Sequence, residues 1–207
     1  KEATNLGKEI DKKWNKCLVV RADVGDLGEV ENMFGKITSR FGKIDILVNN
    51  AGIYDDGVVW KMEESTWENV LRTDLTSAFF CTKFAAKSMR STGYGRIINI
   101  SSVVGQTGSF GTSNYSAAKA GLLGFTRAVA TELALKDITV NALSLGFIEI
   151  GMLLSLSEEA QKSVLEKIPK GRWGKPEEVV ATVLFLSSET AGYITGQVIN
   201  LNGGYYM

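Results

Sequence analysis

Short β-branched and apolar runs alternate along this chain with longer stretches whose apolar positions recur every three or four residues. The short runs predict strands at Cys17–Ala22, Ile44–Asn49, Arg96–Ser101, Ile138–Ser144 and Gln197–Leu201. The longer stretches predict helices at Thr4–Trp14, Leu27–Phe41, Glu63–Arg90, Ser113–Lys136, Ser157–Lys167 and Pro176–Ser188. Pro176, followed by Glu177 and Glu178, marks a helix start, because proline suits the first position and carboxylates suit the positive end of the helix dipole. Near-continuous apolar strands alternating with helices predict an α/β fold: a doubly wound, mostly parallel sheet covered on both faces, in three α/β/α layers. No repeat, low-complexity tract or linker interrupts the pattern, so residues 1–207 read as one domain.

The opening does not complete that pattern. The chain starts without Met on a charged helix, and no Gly-rich strand–loop–helix precedes the run Cys17–Ala22. In a dinucleotide-binding fold that unit would hold the pyrophosphate. The expectation is that the sequence begins partway into its domain.

Composition narrows the chemistry. The 23 basic residues balance 23 acidic ones and form no basic stripe, which argues against nucleic acid as a partner. No apolar run reaches the roughly eighteen residues of a membrane span, and no signal peptide is visible. Cys17 and Cys81 are too isolated for a disulfide framework or a zinc site, which suggests a reducing cytoplasm. The chain has 0 His, so a Ser-His-Asp triad, a Cys-His pair and an HExxH metal site are all excluded within these residues. Acid–base work is left to Tyr, Lys, Cys or carboxylates.

One pair fits that work. Tyr115 and Lys119 stand four apart at the start of a predicted helix, on one face and one above the other. A phenol is a poor acid at neutral pH, but a cation roughly 4 Å away contributes on the order of 4 kcal/mol, up to about three pK units. That would bring Tyr115 toward neutrality, where a general acid–base works best. Tyr and Lys at this spacing also occur by chance on exposed faces; of the 6 tyrosines, however, only Tyr115 has Lys at that position. Ser101-Ser102 ends a predicted strand, where a hydroxyl can donate to a substrate carbonyl or merely satisfy a turn. Asn49-Asn50-Ala51-Gly52 follows another strand and reads either as a turn or as a flat floor of small residues. Asn50, Ser102 and Gly146 all lie just past the carboxyl ends of strands, where open α/β sheets bind ligands.

With these pieces in place the chain resembles a short-chain dehydrogenase/reductase, a family with a Rossmann-like fold. The matching segments are NNAG at 49–52, ISS at 100–102, YSAAK at 115–119 and TGQVINLNGG at 195–204. The texture of GRIINISSVVGQTG, NYSAAKAGLLGFT and LNGG is most like 3-oxoacyl-(acyl-carrier-protein) reductases and acetoacetyl-CoA reductases, enzymes of fatty acid biosynthesis and related routes. The resemblance implies that Ser102 polarises the substrate carbonyl, that Tyr115 gives or takes the proton, and that Lys119 binds the nicotinamide ribose and lowers the Tyr115 pKa. It implies that Asp23 and Val24 flank the adenine, that Asn50, Ala51 and Gly52 line the ribose, and that the Ile148 backbone holds the carboxamide. NADP or NAD is the implied cofactor, with NADPH favoured. A small-molecule or thioester substrate, no metal, and a homodimer or homotetramer are implied as well. The segment before Lys1 would supply the first strand, a TGxxxGxG turn, the first helix and the second strand.

Three departures from the family pattern matter. Asp74 stands where the family usually has Asn, on the inward stripe with Trp67, Val70, Leu71, Ala78 and Ala85; a charge there is costly unless paired. It either accepts the same water as the Asn, or pairs with Lys119 and weakens that lysine's pull on Tyr115. Leu145 and Ile150 replace the usual Pro and a cofactor-contacting Thr around Leu145-Gly146-Phe147-Ile148-Glu149-Ile150. Met152–Lys167 reads equally as a substrate lid or as ordinary packing. The small residues Ala117, Gly121, Gly124 and Ala128 on one face of the Ser113 helix permit close approach to the sheet or to a second subunit. Arg96 and Lys136 are the basic residues available for carrier-protein docking. Gly93 occupies a position where carrier-protein reductases often have Arg, which favours a CoA ester or another small substrate. The alternative to a reductase is a catalytically silent relative acting as a binding or scaffold protein, suggested by Asp74, Leu145 and Ile150.

Overall fold

Four parallel strands pair in sequence order: β1 (Ile46–Asn49), β2 (Tyr94–Ser102), β3 (Asp137–Leu145) and β4 (Val198–Leu201). The registers Asn49↔Asn99 and Ser102↔Leu145↔Leu201 bring the carboxyl ends of all four strands to one edge. The coordinates are a computed structural model that describes residues 2–14, 17–150 and 157–207. The helices are α1 (Glu2–Trp14), α2 (Leu27–Phe41), α3 (Glu64–Leu71), α4 (Ser77–Thr92), α5 (Val104–Thr107), α6 (Ser113–Leu133), α7 (Glu158–Leu165) and α8 (Pro176–Ser187).

Side chains alternate across β2, and each face has its own cover. Ile97 joins Val140 of β3 in a cluster with α2, α4 and α6, through Val30, Phe34, Cys81, Ala85, Met89, Val129 and Leu133. Ile98 and Ile100 point the other way, to Leu143, Leu186 and the α8 residues Val179 and Val183. This is the doubly wound, three-layer arrangement that the sequence pattern predicts. The α2 terminus is capped by the Asp26 carboxylate, which accepts from the Glu29 N–H at 2.8 Å. At α8 the Glu178 carboxylate accepts from the Lys175 N–H and from both Nη atoms of Arg172, which hold it down to a pKa of about 2.

A chain of amides and hydroxyls runs through the α4/α6 face. Asn49 Nδ2 donates to Thr82 Oγ1 and, at 2.7 Å, to Asn99 Oδ1; Asn99 Nδ2 donates to Thr126 Oγ1 at 2.9 Å; Thr126 donates to the Leu122 carbonyl. Asn99 and Thr126 are fully buried, so each bond removed would strand a polar atom away from water. The network fixes β1 against β2 and α6 just behind the carboxyl edge.

The structure differs from the sequence pattern in three places. Cys17–Ala22 forms no strand: it has no ladder partner among the described residues, Leu18 and Val19 are exposed, and Val19 lies against Gly7 of α1. Apolar β-branched composition predicts a strand, but a strand exists only where another pairs with it. The single helix expected over Glu63–Arg90 is two, α3 and α4, joined by a π-helical turn at Arg72–Thr76. The expected carrier-docking pair lies at the wrong end. Arg96 is buried near the amino end of β2, where its guanidinium donates to the Gly95, Asp137 and Ser188 carbonyls and pairs with the Asp137 carboxylate at 3.1 Å; Lys136 immediately precedes β3.

Replacing Asn99 by Ala should destabilise the fold by about 2–4 kcal/mol, since Asn49 and Thr126 lose buried partners together. Gly35→Ala should raise stability by about 1 kcal/mol, because Gly35 sits within α2 with open space where its Cβ would be. Urea unfolding of the two variants beside the parent checks both.

Candidate active site

The carboxyl edge gathers the residues singled out from the sequence. Ser102 is the last residue of β2, Asn50 follows β1, Gly146 follows β3, and Tyr115 and Lys119 lie in the first turns of α6. The side chains reach one place. The Ser102 hydroxyl is near enough to the Tyr115 phenol to pull its pKa down, and the Lys119 ammonium sits 5.5 Å from the Tyr115 ring centroid. Lys119 is buried, and its Nζ donates to the Ile100 carbonyl at 3.2 Å. Its own carbonyl accepts from Ser101 Oγ at 3.0 Å, which ties this turn of α6 to the strand end.

Asp74 settles which partner Lys119 has. The π turn presents Asp74 inward, with its side chain fully buried and Oδ2 3.1 Å from Lys119 Nζ. Oδ1 accepts from the Ile53 N–H at 2.8 Å, while Oδ2 accepts no aligned hydrogen bond among the described residues. Arg72, at the start of the same turn, points outward and donates to Asp23 Oδ2 at 2.8 Å. A wider turn lets one short segment aim a cation at the surface and a carboxylate at the core; such turns recur at functional sites.

Burial, more than that pairing, sets the direction of the Tyr115 shift. The phenol is pushed up to about 12, first by burial, with the Asp74 carboxylate and Tyr54 adding to the rise; only the Ser102 hydrogen bond pulls it down. Lys119 is not among the groups that shift the phenol, and its ammonium faces the buried Asp74 carboxylate. In the protein alone Tyr115 is a phenol that keeps its proton throughout the neutral range.

The floor of the site is backbone. A Cβ on Gly52 would lie 2.8 Å from Asp74 Oδ2 and 3.3 Å from Lys119 Nζ, so any other residue would crowd the ion pair. Asn50, Ala51 and Gly52 are exposed and offer a flat approach beside Lys119. Gly146 packs onto Asn202 so closely that its Cβ would sit 2.7 Å from the Asn202 Cα, which accounts for the Asn202-Gly203-Gly204 turn of the C-terminal motif. The segment around Ile148 is held from both sides by Gly174, which accepts from the Glu149 N–H at 2.8 Å and donates to the Phe147 carbonyl at 3.0 Å. Leu145 occupies the Pro place as a full member of the β3–β4 ladder, opposite Leu201. Ile150 is exposed and carries no hydroxyl. Asp23 is exposed, and its carboxylate, held below the usual range first by Arg72, also accepts from the Gly25 N–H; Val24 packs against the α2–α4 cluster. Of the stretch Met152–Lys167, residues 152–156 lie outside the described residues, and Glu158–Leu165 forms α7.

Two residues escape sequence reasoning. Tyr54 sets its ring edge-on to Tyr115, with centroids 5.3 Å apart and planes at 74°. Asn114, fully buried, donates through Nδ2 to the Asp55 carbonyl at 2.9 Å and accepts the Tyr115 N–H at 2.8 Å. It therefore both starts α6 and ties it to the loop after β1. A sequence signal existed for Asn114, which precedes Tyr115 in a helix-start position; Tyr54 gave none.

Comparison with known proteins follows the same lines. A family model described as Enoyl-(Acyl carrier protein) reductase matches residues 1–206. Nodulation protein G of Azospirillum brasilense is 45% identical over 189 residues, covering 91% of this chain and 77% of that protein. The 3-oxoacyl-(acyl-carrier-protein) reductase FabG of Staphylococcus aureus is 43% identical over 206 residues, covering 100% of this chain and 84% of that protein. The enzyme of the same name from Escherichia coli is 43% identical over 185 residues, covering 89% and 76%. With a parallel sheet wound by helices on both faces and a Ser–Tyr–Lys cluster at its carboxyl edge, the chain belongs to this family, the short-chain dehydrogenases/reductases, and is an NAD(P)-dependent oxidoreductase.

Proposed function

We propose that this protein reduces the keto group of a 3-oxoacyl thioester, with Ser102, Tyr115 and Lys119 as its catalytic residues. The observation that carries the reading is the meeting of the Ser102 hydroxyl, the Tyr115 phenol and the Lys119 ammonium at one strand edge. The names of the relatives, 3-oxoacyl-(acyl-carrier-protein) reductases from several bacteria, support the substrate class.

A nicotinamide cofactor, when bound, supplies the hydride. The exposed backbone at Asn50, Ala51 and Gly52, with the Lys119 ammonium beside it, suits a ribose; the Ile148 segment suits the carboxamide; Asp23 and Val24 suit the adenine end. NADPH is the form that the family resemblance favours over NADH. Ser102 donates a hydrogen bond to the substrate carbonyl oxygen, and Tyr115 gives that oxygen its proton as charge develops there. A phenol that stays protonated near neutrality is fit to donate, whereas it is a weak base for removing a proton from an alcohol. Asp74 keeps Lys119 in place. The retention of all three reacting groups in contact speaks against a silent scaffold. A homodimer or homotetramer through α3, α4 and α6 accords with the exposed Phe79 of α4 and the exposed small residues Ala117, Gly124 and Ala128, although Gly121 of the same face packs on Leu75 within the chain.

Steady-state oxidation of NADPH and NADH against acetoacetyl-CoA tests the reading; turnover with neither cofactor would sink it. Tyr115→Phe should lower kcat by about 10²–10⁴-fold while cofactor binding, followed by fluorescence, persists. Asp74→Asn removes a carboxylate that raises the Tyr115 pKa, so the alkaline limb of the pH–rate profile should move to lower pH. Superimposable profiles would show that Asp74 does no more than an amide would.

A further inference from the structure

The loop after β1 is strapped across the start of α6. Its Ile53 N–H is held by Asp74, its Asp55 carbonyl by Asn114, and its Gly57 N–H by the Gly111 carbonyl at 2.7 Å. Gly57 also forms an isolated parallel bridge with Thr112. Between the first two anchors stands Tyr54, 40% exposed, with its ring edge-on to that of Tyr115. A surface loop does not need a large aromatic residue there for packing, since the outer part of Tyr54 faces solvent. The inner part meets the ring whose hydroxyl the proposed chemistry uses.

We propose that Tyr54 is a positioning residue for Tyr115: its ring fixes the plane of the Tyr115 ring and keeps water from the phenol on the loop side. An edge-to-face pair has a preferred geometry, so the contact restrains the ring that must place its hydroxyl on a substrate oxygen. The restraint is transmitted from both ends of the strap, since Asp74 holds Ile53 while pairing with Lys119, and Asn114 holds Asp55 while accepting the Tyr115 N–H. Every element around the phenol contributes a group: Ser102 from β2, Asp74 from the π turn, Lys119 from α6 and Tyr54 from the strap, with Asp56 acting on Tyr54. Of these, Tyr54 is the most exposed, at 40%.

The inference rests on Tyr115 as the proton donor, and its test separates the two ideas. Protein labelled with ¹³C at the tyrosine ζ carbon is titrated by NMR, with the Tyr115 signal identified by its loss in Tyr115→Phe. In the parent, Tyr115 should be only about one-tenth ionised at pH 11. Tyr54→Ala should lower its midpoint by about one unit, to about half ionised at that pH, and lower kcat on the order of tenfold with KM little changed. Tyr54→Phe, which keeps the ring but loses the hydroxyl whose charge adds to the rise, should keep the parent kcat and place the Tyr115 midpoint between those of the parent and Tyr54→Ala. Tyr54→Thr, measured alongside, should match Tyr54→Ala and serves if that variant fails to fold. An unmoved Tyr115 midpoint in the Ala and Thr variants, or a Phe variant that behaves as they do, overturns the proposal. A shifted midpoint in a protein that reduces no 3-oxo thioester leaves the positioning role standing and removes the functional reading instead.

Discussion

The buried ion pair between Asp74 and Lys119 organises everything else at the carboxyl edge. Two charges in a low-dielectric interior are tolerated only when each satisfies the other and their remaining valences are met. Here the carboxylate also takes the Ile53 amide, and the ammonium also takes the Ile100 carbonyl. The pair therefore joins the loop after β1, the turn between α3 and α4, the end of β2 and the first turns of α6. Gly52 is small because that junction leaves no room. Removing either charge would strand the other, a loss usually worth about 3–5 kcal/mol.

Burial comes first in the electrostatics of the phenol, and the same pair adds to it. A lysine beside a tyrosine is commonly read as an acidifying device, but here the lysine faces a carboxylate that itself raises the phenol's pKa. The neutral ring is then stabilised by the interior, whereas its anion would be both desolvated and repelled by the carboxylate. The site is built around a proton that is held until a substrate oxygen acquires charge.

Much of this was readable from the chain. Near-continuous apolar, β-branched runs place all four strands, period-3.6 patterns place most helices, and the i,i+4 spacing places Tyr115 over Lys119. Ser102 and Asn50 follow from their positions after apolar runs, and the inward stripe of its helix puts Asp74 in the core. What was hidden depends on distant pairing or on a change of period. Cys17–Ala22 has strand composition without a partner strand in the described residues. The π turn is invisible because one extra residue per turn barely disturbs an apolar stripe. Arg96 reads as a surface cation until the register with Asp137 shows it enclosed. Tyr54, in the loop after β1, meets Tyr115 of α6, a contact between distant segments that no local pattern encodes. The direction of the Tyr115 shift likewise needed the burial of the phenol and not merely the presence of Lys119 and Asp74.

Arg96 carries one more consequence. Because all four strands run the same way, the sheet has two unlike ends: one open, with loops that meet a substrate, and one closed by a guanidinium fastened to Gly95, Asp137 and Ser188. The two ends therefore rest on separate residues. A substitution in a loop at the open end leaves the Arg96 clasp untouched, so what the site accepts and what fastens the strand bases together are set at opposite ends of one sheet.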